Sequence, residues 1–118
     1  MIIKATNHFK TGYSVEDSDI LSNLIDSALA NGEEKIIIDF TGIVDYCPAF
    51  FRFALTHRLE DMTREKYDER FRLIGLSELG KGAYKLTYDN MVSHYSLSPK
   101  ARRELEKKLE ELVQEYLY

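Results

Sequence analysis

The spacing of apolar residues changes several times along the 118-residue chain, and each change predicts an element. Ile2 and Ile3 open the segment from Met1 to Phe9, which reads as a first strand. Thr11-Gly12 supplies a turn in which glycine tolerates positive φ, and Tyr13 to Val15 reads as a short return strand. Ile20, Leu21, Leu24, Ile25, Ala28 and Leu29 then fall at helical spacing. Asp17, Ser18 or Asp19 is expected at the start of that helix, with Gly32 at its C-terminal cap.

The run Ile36-Ile37-Ile38 is continuous rather than alternating, which predicts a central strand buried on both faces. Pro48 suits the first helical position, where its missing N–H loses nothing, so a second helix is expected from Pro48 to about Met62. In it, Phe51, Leu55, Leu59 and Met62 form one stripe, while Phe50, Phe53, Ala54 and His57 form another. That second stripe is expected to pack on a neighbouring helix, the favoured reading, or else to present an aromatic surface flanked by Arg52 and Arg58 to a partner. A charged loop, Thr63 to Glu69, leads to a third strand over Phe71, Arg72, Leu73 and Ile74, closed by Gly75. Ser77 reads as the cap of a third helix weakened by Gly80 and Gly82 at about 1 kcal/mol each. Ser98-Pro99 starts a last amphipathic helix with Leu105, Leu109, Leu112, Val113, Tyr116 and Leu117 on one side. Docking of that helix on its own domain is favoured over dimerisation.

Strands separated by helices generally pair in parallel, so this order predicts an α/β fold with a small, mostly parallel sheet of about four strands. The fourth strand is expected from the N-terminal turn region. Length sets one domain over residues 1–118, with a core at about 1–97 and a C-terminal helix at 98–118.

Charge narrows the partners. Residues 1–45 hold 3 Lys against 8 acids and the remainder is near neutral, giving a net charge of −4. The one basic cluster, Arg64, Lys66, Arg70 and Arg72, is interrupted by Glu65, Asp68 and Glu69, which argues against a phosphate-binding strip and hence against nucleic acid. No apolar run approaches the roughly 18 residues that span a bilayer, and the N-terminus carries no signal peptide, so a cytoplasmic protein is expected. The single cysteine, Cys47, forms no internal disulfide, and scattered histidines give no zinc spacing, so neither metal nor cofactor is expected.

Candidate chemistry gathers after the isoleucine run, at the carboxyl end of a parallel strand, where open α/β sheets meet ligands. Asp39 and Asp45 suggest a phosphoacceptor, but that chemistry needs a metal-binding acidic pair, a lysine and a hydroxyl that cannot be assigned. Asp39 reads better as a turn residue ahead of Gly42. Cys47 precedes a helix N-terminus, which favours a thiolate, yet His57 lies about two and a half turns down the next helix, too far to serve as base. A small phosphotransfer or thiol enzyme using Asp39, Asp45 or Cys47 is therefore the minor alternative to a non-enzymatic reading.

Ile38-Asp39-Phe40-Thr41-Gly42-Ile43, followed by Ala49-Phe50, resembles the STAS-like domain family of unknown function, relatives of the STAS domain of anti-sigma-factor antagonists. Asp39, Phe40, Gly42, Ile43 and Phe50 match, and the likeness runs over roughly residues 14–97, through Arg72 to Leu76 and Asp89-Asn90 to Tyr95. The resemblance implies a prokaryotic regulatory module that binds a histidine-kinase-like ATPase. The serine those antagonists present for phosphorylation falls on Ala49, which has no hydroxyl, so the switch is lost and the surface kept. The expected contact residues are Asp45, Tyr46, Cys47, Ala49, Arg52 and Phe53. A homodimer or scaffold built through residues 98–118 is the competing expectation.

Overall fold

The computed structural model describes the backbone of residues 1–95 and 99–117 and the side chains of residues 1–95 and 103–112. Three strands form one parallel sheet, β1 (Ile2–Lys4), β2 (Ile36–Asp39) and β3 (Phe71–Ile74), in the order β1-β2-β3. Five helices accompany them: α1 (Val15–Ala30), α2 (Pro48–Ala54), α3 (Arg64–Arg70), α4 (Glu78–Tyr95) and α5 (Pro99–Leu117). The expected α/β class and central β2 are therefore present.

The expected fourth strand is absent among the described residues. Ser14 caps α1 by accepting the Asp17 N–H at 3.0 Å, so Val15 is already helical and the helix begins a turn earlier than its apolar periodicity indicates. What remains of the return strand is a single parallel bridge between Gly12 and Tyr46. The first strand also stops early, because Ala5–Asn7 tighten into a 3₁₀ turn.

Period-two alternation explains the layers. Ile3, Ile38 and Leu73 lie in register on one face with Ile36 and Phe71, and they join a core containing Leu21 and Ile25 of α1, Phe50 and Phe51 of α2 and Ala83 of α4. Each fully buried isoleucine there contributes about 1.5–3 kcal/mol of apolar transfer. The opposite face carries the rows Ile2–Ile37–Arg72 and Lys4–Asp39–Ile74, with Ile2 61% and Ile74 39% exposed. The central strand is therefore covered on one face, not on both as its unbroken isoleucine run suggests.

The second helix ends at Ala54, well short of Met62, and a 3₁₀ turn follows at Thr56–Glu60. Side chains take the carbonyls at its end: His57 Nδ1 pairs with Arg52 O at 3.0 Å, and Arg58 Nε donates to Ala54 O at 3.3 Å. Arg58 is buried, not flanking a surface. Its guanidinium reaches α1, donating to Asp26 Oδ1 at 2.7 Å and to Ser22 Oγ at 3.0 Å. Residues expected as a charged loop form α3, whose cap Thr63 accepts from Lys66 N and whose one core anchor is the fully buried Tyr67.

Along α5, Leu105, Leu109 and Leu112 are 39%, 52% and 51% exposed, so this described part of the expected stripe is not packed on the domain. The Ser98 cap and the side chains of Val113, Tyr116 and Leu117 lie outside the described residues. No helix among the described residues is long and apolar enough to cross a membrane.

Candidate functional site

The site is built where β2 ends. Asp39 Oδ1 accepts from Thr41 N at 3.0 Å and from Thr41 Oγ1 at 2.7 Å, closing a turn that reverses the chain into the loop. The Thr41 hydroxyl and N–H, with Lys4 across the strand pair, hold the Asp39 carboxyl below the usual carboxylate range. Gly75, at φ 75°, follows β3 directly beside this turn. A Cβ there would stand 2.6 Å from Thr41 N and 2.7 Å from Asp39 Oδ1, so close approach and positive φ both demand glycine.

The loop then divides inward from outward. Phe40 and Ile43 enter the core, while Val44 is 71% exposed and Asp45 is exposed beside it. Tyr46 turns back in. Its ring stacks on Phe51 at 5.7 Å and fills the space left by two glycines, since a Cβ on Gly12 or on Gly80 would come within 2.9 Å of it. Gly12 thus serves close packing rather than positive φ, and Gly80 repays its low helix propensity by admitting this ring. The Tyr46 hydroxyl is buried without a hydrogen-bond partner among the described residues, and burial pushes its pKa up to about 12.

Two backbone bonds clamp the loop to the N-terminal segment, Gly12 N to Asp45 O at 2.7 Å and Cys47 N to Gly12 O at 2.9 Å. That segment is itself held by Asp17, whose carboxylate accepts from Thr11 N at 3.0 Å and Thr11 Oγ1 at 2.6 Å. Those bonds lower the Asp17 pKa. Cys47, half-buried, points its thiol at Tyr13 O, 3.8 Å away.

Pro48 then starts α2 at the favoured position. At 100° per residue, Phe50, Phe51 and Ala54 face the core, which leaves Ala49, Arg52 and Phe53 on one outward face. Of the six residues expected to make contact, Asp45, Ala49, Arg52 and Phe53 are exposed together, Cys47 is half-buried and Tyr46 is core. Phe53 is 50% exposed, an uncommon position for a phenyl ring. Tyr13, beside the Gly12 bridge, and Val44 add exposed apolar area that periodicity did not flag, because both lie in irregular segments flanking the Gly12–Tyr46 bridge, where no period applies.

The reactive groups are engaged elsewhere. Asp39 is bound into its turn, and His57 faces the Arg52 carbonyl. No cluster of three His, Cys, Asp or Glu residues suited to a metal ion occurs among the described residues. Comparisons with family models, with curated proteins and with solved structures find no match to this chain.

Proposed function

We propose that this chain is a cytoplasmic, non-enzymatic STAS-like module that binds a protein partner, a histidine-kinase-like ATPase, through the loop after β2 and the outward face of α2. The observation that carries this reading is the joint exposure of Asp45, Ala49, Arg52 and Phe53 beside Val44, at a parallel-strand end where the acid and the thiol have no catalytic company. An aromatic ring beside an arginine, Phe53 with Arg52, is of the residue types enriched at protein interfaces, where the ring is buried on binding and carries a large share of the energy. With a methyl group at Ala49, the contact is not switched by phosphorylation at that position.

The test is affinity capture with the wild type and with Asp45→Arg/Phe53→Ala, followed by identification of what each retains. An ATPase held by the wild type and lost by the variant supports the reading. A variant that keeps every partner removes it.

A second reading is favoured by the exposed stripe Leu105, Leu109 and Leu112: a homodimer through α5. Light scattering across a concentration series would then show mass rising toward the dimer, and deletion of residues 98–118 would hold it at the monomer.

A further inference from the structure

We propose that the free edge of β3 accepts an extended acidic peptide from a protein partner as a fourth strand. This surface is separate from the α2 face. A cavity of about 480 Å³ runs along β3 between α3 and α4, and Phe71, Arg72 and Leu73 all line it. Phe71 and Leu73 point to the helix-covered face and Arg72 to the other, so a cavity touching all three straddles the strand's edge.

The backbone there is available. Phe40 N donates to Ile74 O at 2.8 Å, which turns Ile74 and, two residues back, Arg72 toward β2. Phe71 and Leu73 therefore face outward. The Phe71 N–H is used by Tyr67 O at the end of α3, which leaves the Leu73 N–H and C=O with no hydrogen-bond partner among the described residues. An unpaired edge of this kind is where strand addition takes place, with main-chain bonds supplying affinity and flanking pockets supplying selectivity.

Charge chooses the occupant. The lining holds Arg64, Arg72, Lys81 and Lys85 against Asp68 and Asp89, a positive surplus on a chain of net charge −4. Three of these cations have acid neighbours, Lys85 with Asp89 at 2.7 Å, Lys81 with Glu78 at 3.3 Å and Arg64 with Asp68 at 4.0 Å, so Arg72 carries the uncompensated charge. Arg72 has no partner among the described residues, so its guanidinium is free for a carboxylate. Tyr84 and Tyr88, 6.0 Å apart by ring centroid, form the aromatic wall against which the peptide's alternate apolar side chains pack.

Two capped pentapeptides test this by NMR titration, Glu-Val-Glu-Val-Glu and Lys-Val-Lys-Val-Lys, with inorganic phosphate as a third probe. The acidic peptide should shift the resonances of residues 71–76, slow exchange of the Leu73 amide at least about tenfold, and bind less well as salt rises. Arg72→Glu/Lys81→Glu, both exposed and each with a fold checked by circular dichroism, should weaken it at least about tenfold. Equal binding of the basic peptide, or acidic-peptide binding that leaves Leu73 unprotected, overturns the proposal. So does failure of the acidic peptide to bind at millimolar concentration. Phosphate shifting the same residues while the peptide does not would make this a small-anion pocket instead.

Discussion

The two faces of the sheet are built from the same residue type and have opposite fates. Ile36 and Ile38 are fully buried beneath α1, α2 and α4, whereas Ile37, between them in sequence, lies half-buried in a row with the 61% exposed Ile2. A run of three isoleucines expresses strand propensity but does not say how many layers cover the strand. What decides is the rest of the fold. Three short parallel strands carry one helix layer, and the open face keeps Lys4, Asp39 and Arg72 among its isoleucines to remain wettable.

The difference between the faces should be plain in stability. Ile38→Ala leaves a cavity under the helices and should cost about 2–5 kcal/mol in urea unfolding. Ile37→Ala should cost less than half of that. Equal losses would mean that the open face is covered in solution.

Alkaline unfolding sharpens the same contrast, because the tyrosines with raised pKa values all belong to the covered side or its rim. Burial pushes Tyr46 and Tyr84 up to about 12, and Tyr67 and Tyr88 are also raised. A raised folded-state pKa gives stability that is complete below the unfolded value, near 10, and is lost as pH climbs through the folded value. Stability should therefore hold to about pH 10 and fall between about pH 10 and 12. Absorbance at 295 nm should show these four tyrosines ionising late or together with unfolding.

At the sheet's edge, Gly75→Ala should destabilise by roughly 1–3 kcal/mol, through positive φ and the approach of Thr41, without changing the aromatic core. Thermal melts against Gly82→Ala, which meets open space and should be neutral or mildly stabilising, isolate this effect. The smallest effect has the opposite sign. Tyr46→Phe removes a buried hydroxyl that has no partner among the described residues, so it should stabilise by up to about 1 kcal/mol, and a net destabilisation would show that the hydroxyl is bonded.

Where sequence and structure agree, the signal is local. The turn at Asp39 and Gly42, the β3 residues Phe71–Ile74 and the placement of Pro48 depend on neighbours within a few positions. Where they diverge, the cause is distant or too brief to show a period. Arg58 finds Asp26 across 32 residues, and Tyr46 finds Gly12 and Gly80 from separate elements. The helix α3 buries a single tyrosine in two turns, so no periodicity marks it. At the site, periodicity did not separate the outward face of α2, because Phe50 and Ala54, read in one stripe with the exposed Phe53, are buried. The burial of Tyr46 was not legible either, because its space is made by glycines remote in sequence.

The most direct test of the recognition surface is hydrogen exchange, measured on the protein alone and with its captured partner. The account predicts slowed exchange across residues 44–53, centred on Asp45 and Phe53 and lost in Asp45→Arg/Phe53→Ala. Protection confined to residues 71–85 or 103–112, with 44–53 unchanged, would contradict it.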